Sequence, residues 1–205
     1  MVVAQQSSRF LNALPPAFKA LNRKLVLGQK VEFVFPAPAE MSLRRGVRDA
    51  AMAENASWAL AQEGHDGRLF VFAHNAHIMN AVQTGGWWKN LKPQTAMGRH
   101  LRAIFGRDLV IVGTSSAQNG PGVQVLDGVS PADAKVGSVD SAMVSVGLPA
   151  FLLDLRSAPP SIAQWLSQRQ TIRANITTEL ELAPSQAFDL LFFVQTLTGA
   201  PTVQH

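Results

Sequence analysis

His74 and His77 are the residues in this sequence best suited to acid–base chemistry. They lie three positions apart in the run Phe-Ala-His-Asn-Ala-His, directly after an apolar segment. An imidazole takes up and releases a proton near neutral pH, so His74 could act as a general base that activates water for attack on an ester or lactone carbonyl. Asn75, between the two histidines, could donate a hydrogen bond to the carbonyl oxygen as negative charge develops.

The spacing of the two histidines leaves other interpretations open. A histidine at a turn often serves only as a hydrogen-bond partner of the backbone. The pair could also ligate a metal or haem, but the chain contains no cysteine and its spacing fixes no third ligand. We therefore predict that the site needs no cofactor and no metal.

A second group of polar residues lies on one predicted helix. Arg48 and Asn55 are seven positions apart, which is two helical turns, so they share a face, with Glu54 near its border. The ordinary interpretation is a solvated helix face on which Asp49 complements the helix dipole.

Three further segments are candidates of lower specificity. Ser115 and Ser116 follow an apolar run, but Gly-Thr-Ser-Ser-Ala is not the Gly-x-Ser-x-Gly turn of a nucleophilic serine, which favours a polar loop. Asp154 and Arg156 flank one residue, which predicts an ion pair. The glycines and tryptophans at 85–88 predict either a lid over an apolar ligand or a folded loop.

Alternating secondary structure must position these residues. Continuous apolar runs predict strands at 68–73, 109–113, 150–155 and 188–195. Apolar periodicity, capping residues (Thr95 among them) and glycine stops predict helices at 47–62, 95–105, 139–146 and 160–168. We expect an α/β domain with a mainly parallel sheet flanked by helices.

Ligands of such sheets lie beyond the carboxyl ends of the strands. The predicted ends lie close to His74, Ser115, Asp154 and Gln195. This placement predicts a cleft at that edge of the sheet. Residues 1–43 predict an irregular or helical N-terminal segment, and 44–205 the α/β domain.

Composition limits the partners. The chain has 205 residues, 47% of them hydrophobic, with a net charge of +4. Arg44, Arg45 and Arg48 lack the aromatic interleaving of a nucleic-acid site, so no nucleic-acid partner is predicted. No apolar run reaches membrane-spanning length and no signal peptide is recognised, so we expect a cytoplasmic protein without a membrane partner.

Several segments together resemble the erythromycin esterase family. Arg48 to Asn55 is similar to the helix motif of that family, and Phe72 to His77 to its histidine motif. Met97-Gly98, the apolar run at 109–113 and the tail from Phe151 onward continue the resemblance in the correct order. It covers about residues 44–201.

The resemblance implies a carboxylic-ester hydrolase that opens a macrolide lactone by attack of water, a reaction associated with antibiotic resistance. It implies His74 as the catalytic base, supported by His77 and Glu54. It further implies that Arg48, Asn55 and Asn75 contact or orient the substrate, a small-molecule ester or macrolide.

One departure from the family pattern shapes the expectation. Family members are about twice this length, and a Gly-Glu-x-x-His-Gly motif in their N-terminal half has no counterpart here. We therefore expect a truncated form of the fold, with self-association through an uncovered sheet edge. The alternative function is a catalytically silent remnant or an interaction module that keeps the fold.

Overall fold

The computed structural model describes residues 38–83, 93–120, 123, 133–173 and 179–199, with side chains from residue 46 onward. The helices are α1 (Pro38–Gln62), α2 (Asn75–Ile78), α3 (Met97–Phe105), α4 (Val139–Val144), α5 (Pro160–Ser167) and α6 (Pro184–Ala187). The strands are β1 (Val82–Gln83), β2 (Gln94–Thr95), β3 (Val112–Asn119), β4 (Ala150–Asp154), β5 (Gln170–Arg173), β6 (Glu179–Leu182) and β7 (Leu190–Leu197). Segment 85–88 lies outside the described residues.

Helix α1 begins earlier than its sequence pattern predicts. It starts at Pro38, although Gly46 favours a later start because glycine is a poor helix former. Its inward face carries the buried Ala53, which packs against Met97 and Leu101 of α3. The helix stops just before Gly64, whose φ of 83° a residue with a side chain adopts only at a cost. Burial against α3 thus fixes which face of α1 points inward.

The main sheet has three strands in the order β3-β7-β4. Strand β3 runs parallel to β7, with Thr114 opposite Phe192, and β4 runs antiparallel to β7, with Leu152 opposite the same residue. The α/β class with a helix-flanked sheet is therefore confirmed, and the sheet is mixed, with one parallel and one antiparallel pair.

Only one face of this sheet is buried by the described residues. Leu191 and Phe193 of β7 are 0% exposed and belong to a core that includes Leu166 of α5 and Ile172 of β5. Burial of a side chain of this size stabilises the fold by about 1.5–3 kcal/mol. On the opposite face Leu152 is 56% exposed.

A hairpin of β5 and β6 was not predicted. The strands pair antiparallel, with Ile172 opposite Leu180. Strand β6 (Glu-Leu-Glu-Leu) alternates polar and apolar residues, a pattern typical of a half-buried strand, whereas β5 (Gln-Thr-Ile-Arg) does not. None of the helices in the described ranges combines the length and apolar character of a membrane span.

Several predicted details are wrong. Residues 68–73 form no strand in the described structure, and Phe70 and Phe72 are 87% and 88% exposed, because no described strand pairs with them. Thr95 belongs to β2, and the N-cap of α3 is Ala96. Asp154 is the last residue of β4, but β4 runs antiparallel to β7, so Asp154 lies opposite Leu190, the first residue of β7. It is therefore not at the carboxyl edge of the parallel pair, where the cleft was predicted.

Candidate active site

A buried carboxylate, that of Asp49, lies at the centre of the candidate site. Asp49 is 1% exposed on the inward face of α1. Its oxygens accept hydrogen bonds from Nδ1 of His77 at 2.9 and 3.0 Å, from Nε2 of Gln83 at 3.3 Å and from the backbone N–H of Met97 at 3.1 Å. These donors compensate the cost of removing a carboxylate from water. The site therefore joins α1, the segment around α2 and the start of α3.

Sequence reasoning missed this role of Asp49. The expected role at a helix N-terminus is wrong, because α1 begins at Pro38 and Asp49 lies well inside the helix. The signal that could have found it is helical spacing. Asp49 shares a face with Ala53 and Ala56, which pack inward, so a carboxyl at that position requires a partner.

The hydrogen-bond partners of His77 determine which of its ring nitrogens carries the proton. Nδ1 faces the Asp49 carboxylate, and Nε2 lies 2.6 Å from Nη2 of Arg48. A carboxylate can only accept hydrogen bonds and a guanidinium can only donate them. These hydrogen bonds place the ring proton of His77 on Nδ1 and a lone pair on Nε2.

His74 has the opposite arrangement. Its Nδ1 accepts a hydrogen bond from the backbone N–H of Ala76 at 3.1 Å and so caps α2, which places the ring proton on Nε2. Nε2 is buried and has no hydrogen-bond partner among the described residues. The His74 and His77 ring centroids are 6.4 Å apart. Burial lowers the pKa of His74, and repulsion from His77 lowers it further, so the ring stays neutral at pH 7.

Asn75 holds the histidine segment against the sheet. Its amide oxygen accepts from the backbone N–H and the hydroxyl of Thr114 at 2.9 and 3.2 Å. Its amide nitrogen donates to the carbonyl oxygens of Thr114 at 2.6 Å and Arg173 at 3.3 Å. The side chain is 1% exposed. Contrary to the expectation that Asn75 contacts a substrate, its amide is engaged with the protein itself.

A second buried carboxylate supports the same region. Asp140, at the start of α4, accepts from Oγ of Ser115 at 2.5 Å and from the backbone N–H of Arg173 at 2.9 Å. Burial raises the pKa of Asp140, and these hydrogen bonds oppose the rise. Ser115 lies within β3 and is buried, so it does not begin a polar loop as predicted. This contact joins α4 to the strand that Asn75 binds.

The other expected site residues occupy different surroundings. Glu54 is exposed, and at about 100° per residue it lies roughly 140° around α1 from Asp49, away from the histidines. Asn55 is half-buried on the helical face of Arg48. The predicted ion pair is confirmed: Arg156 donates to Asp154 at 2.7 Å and holds the pKa of that carboxyl at about 2.

No metal centre is evident in these ranges. In the described part of the chain, no three or more His, Cys, Asp or Glu side chains are grouped so that they could hold a metal ion. Asp49, His77, His74 and Arg48 supply groups for proton transfer and hydrogen bonding.

The lowered pKa of His74 predicts a pH-dependent stability. The unfolded chain binds a proton at this residue more readily than the folded chain, so the free energy of unfolding rises with pH through this window. The contribution is fully present above pH 6.5, the ordinary histidine value, and is lost as the pH falls through the folded pKa. Urea unfolding between pH 5 and 8 measures it.

His74→Asn is the informative variant for this prediction. Asparagine caps a helix well and does not titrate, so the pH dependence should become shallower while α2 keeps its cap. His65→Asn is the control, because His65 is fully exposed. Equal slopes for wild type and His74→Asn would contradict the prediction.

The described elements form an α/β domain in which a histidine pair lies beside a buried carboxylate. A family model described as erythromycin esterase matches residues 21–197. The chain belongs to the erythromycin esterase family, and its fold is hydrolase-like. No curated protein matches it.

Solved structures with the same fold extend the comparison. A protein from Bacillus cereus is 24% identical with a TM-score of 0.63, over 82% of this chain and 42% of that one. A succinoglycan biosynthesis protein is 18% identical with a TM-score of 0.62, over 80% and 41%. A histidine-to-asparagine variant of the erythromycin esterase EreC, in its open conformation, is 17% identical with a TM-score of 0.56, over 89% and 42%. The chain thus spans about two fifths of the length of these structures.

Proposed function

We propose that this domain hydrolyses carboxylic esters, with a macrolide lactone as the candidate substrate, by attack of water that the histidine pair promotes. The observation that carries the proposal is the buried Asp49 carboxylate, which orients His77 beside His74. Family membership favours ester chemistry over other uses of two histidines. The candidate substrate derives from the name of the family and from that of the solved esterase.

The tautomers favour different roles for the two rings. His74 is the base that the sequence predicts, but its unprotonated Nδ1 is engaged by the N–H of Ala76. To accept a proton there, it would have to give up the cap, which costs about 1 kcal/mol, and charge a half-buried ring. His77 carries its lone pair on Nε2, facing Arg48. We therefore assign His77 as the proton acceptor and His74 as a hydrogen-bond donor.

The proposed reaction follows from these assignments. A water oxygen attacks the carbonyl carbon and its proton passes to Nε2 of His77, once Arg48 has moved from that atom to an oxygen of the substrate. The Asp49 carboxylate stabilises the resulting imidazolium. Nε2–H of His74 is buried in the described structure, so it donates to the carbonyl oxygen, as that oxygen becomes negative, only once the substrate has opened the site. Collapse of the tetrahedral intermediate breaks the C–O bond, and the leaving alkoxide takes the proton from His77.

Of the two remaining candidate site residues, Asn55 has a role in this mechanism and Glu54 has none. Asn55 is proposed as a substrate contact because it shares the helical face of Arg48 and is half-buried. Glu54 has no role in this mechanism, because its face of α1 points away from the histidines.

The test is hydrolysis of p-nitrophenyl esters and of erythromycin by the whole chain. His77→Ala should lower kcat/KM by about 10²–10⁴-fold, the usual contribution of a general base. His74→Ala should lower it by about 10²–10³-fold, through the lost donor. His65→Ala, which changes an exposed histidine, should leave it unchanged. Equal rates for wild type, His74→Ala and His77→Ala would contradict the proposal.

The second candidate is a catalytically silent or interaction module that self-associates. One observation favours it: Phe70, Phe72 and Leu152 are exposed. Apolar surface of this kind is typical of association sites. A folded chain that hydrolyses neither substrate and forms dimers or larger species by light scattering would support this candidate over the enzyme.

A further inference from the structure

The buried acid of α1 suggests a positioning residue for the proposed reaction. We propose that Asp49 sets the tautomer of His77, holding its proton on Nδ1 so that Nε2 is the proton acceptor. This inference rests on the proposed function for its chemical meaning. The tautomer itself can be measured whether or not the chain hydrolyses any ester.

The two carboxylate oxygens of Asp49 accept hydrogen bonds from different sets of donors. Oδ2 accepts from Gln83 at 3.3 Å, from the backbone N–H of Met97 at 3.1 Å and from His77 at 3.0 Å. Oδ1 accepts from Nδ1 of His77 at 2.9 Å, its one hydrogen bond within the described residues. Oδ2 therefore ties α1 to the rest of the fold, whereas Oδ1 is directed at the imidazole.

This inequality predicts how an asparagine would sit at position 49. The amide oxygen would take the Oδ2 position, because both Gln83 and Met97 present donors there. The amide nitrogen would then take the Oδ1 position and present a donor to Nδ1 of His77. Nδ1 of His77 would then have to accept a hydrogen bond, and the ring proton would move to Nε2.

The change would disturb the other side of the ring as well. Nε2 of His77 lies 2.6 Å from Nη2 of Arg48, which can only donate. A proton on Nε2 would place two donors against each other, so Arg48 would move away. Both the proton acceptor and its guanidinium partner would be lost, although the hydrogen bonds of the fold to Gln83 and Met97 remain.

Two charged or titratable groups besides Asp49 face this ring. Arg48 lies on the Nε2 side, and the His74 ring lies 6.4 Å away by centroids. Neither can accept a hydrogen bond from Nδ1–H of His77, because the guanidinium only donates and Nδ1 of His74 already accepts from the N–H of Ala76. Control of the tautomer therefore rests with Asp49.

The test is long-range ¹H–¹⁵N NMR of the imidazole nitrogens in the whole chain near pH 8. The His77 signals are assigned by their loss in His77→Gln. Wild type should show Nδ1 protonated and Nε2 unprotonated, and Asp49→Asn should show the reverse. His74 should keep Nε2 protonated in both and serves as the internal reference. Glu63→Gln, which removes an exposed carboxyl just after α1, is the matched control and should leave His77 unchanged.

The outcomes separate this inference from the proposed function. A wild-type His77 protonated on Nε2, or an unchanged tautomer in folded Asp49→Asn, would overturn it even if the chain is an esterase. If Asp49→Asn does not fold, the wild-type spectrum still decides. If the chain is an active esterase, Asp49→Asn should lower kcat by about 10²–10⁴-fold, as loss of the general base does, with little change in KM. An inactive wild type with the expected tautomers leaves the positioning role supported and refutes only the esterase.

Discussion

Replacing Asn75 by aspartate should lower the free energy of unfolding at pH 7 by about 3–5 kcal/mol, the cost of an uncompensated buried charge. The two side chains have nearly the same shape, so packing is preserved. The new carboxylate can still accept from the N–H of Thr114, but it meets the carbonyl oxygens of Thr114 and Arg173, where the amide nitrogen donates at 2.6 and 3.3 Å. Acceptor would face acceptor in a site that water does not reach.

Urea unfolding monitored by circular dichroism measures this effect. Part of the loss should be recovered at low pH, since a protonated carboxyl regains one donor. Asn80→Asp is the matched control: within the described residues the Asn80 side chain makes one exposed hydrogen bond, to the carbonyl oxygen of Gln186 at 3.1 Å. Its loss should stay near 1 kcal/mol. Equal effects for the two variants would show that the Asn75 amide does not fasten the histidine segment.

Replacing Gly98 by alanine should destabilise the domain by about 3 kcal/mol or more, as overpacking against rigid backbone does. A Cβ at this position would lie 1.6 Å from the carbonyl oxygen of Ile78 and 2.8 Å from that of Met79. Both are main-chain atoms at the end of α2, so they cannot rotate away. Helix α3 can therefore approach the histidine segment only because residue 98 has no side chain.

Helix propensity alone predicts that Gly98→Ala raises the free energy of unfolding, whereas the close contact with Ile78 predicts that it lowers it. The sign of the measured change therefore decides between the two effects. Alanine in place of glycine within a helix normally stabilises it by about 1 kcal/mol. Ala103→Gly, at an exposed position of α3, measures that term in this domain. If Gly98→Ala raised the denaturation midpoint, the close approach of α3 to Ile78 would be refuted.

The elements that could be predicted from the sequence are those whose pattern is local. Helices α3 and α5 occur within two residues of the predicted bounds, because their apolar periodicity and stop signals lie inside the segment. Strand β3 was misplaced, running from Val112 to Asn119 instead of 109–113. Its polar residues are tolerated inside the sheet because distant side chains satisfy them. Asn75 binds Thr114, and Asp140 binds Ser115.

The two histidines of the candidate site could be predicted from the sequence, whereas the buried Asp49 and the hydrogen bonds that join them to it could not. The run from Phe72 to His77 identified both histidines from type and spacing. The pairing of His77 with Asp49 spans 28 residues and depends on how α1 docks, which no local pattern encodes. The same dependence explains Asn75, whose partners lie 39 and 98 residues away. Long-range hydrogen bonds decided which polar residues became structural.

The amide clamp of Asn75 also separates the histidines mechanically from the segment before them. The hydrogen bonds that join this stretch to distant parts of the described structure all act at or after residue 75. They are those of the Asn75 and His77 side chains and that of the Asn80 N–H, which donates to the carbonyl oxygen of Ala187 at 2.9 Å. Residues 68–73 lie upstream of all of them and are largely exposed. That segment can therefore move, or pair with another strand, without breaking the hydrogen bonds that hold the two imidazole rings in place.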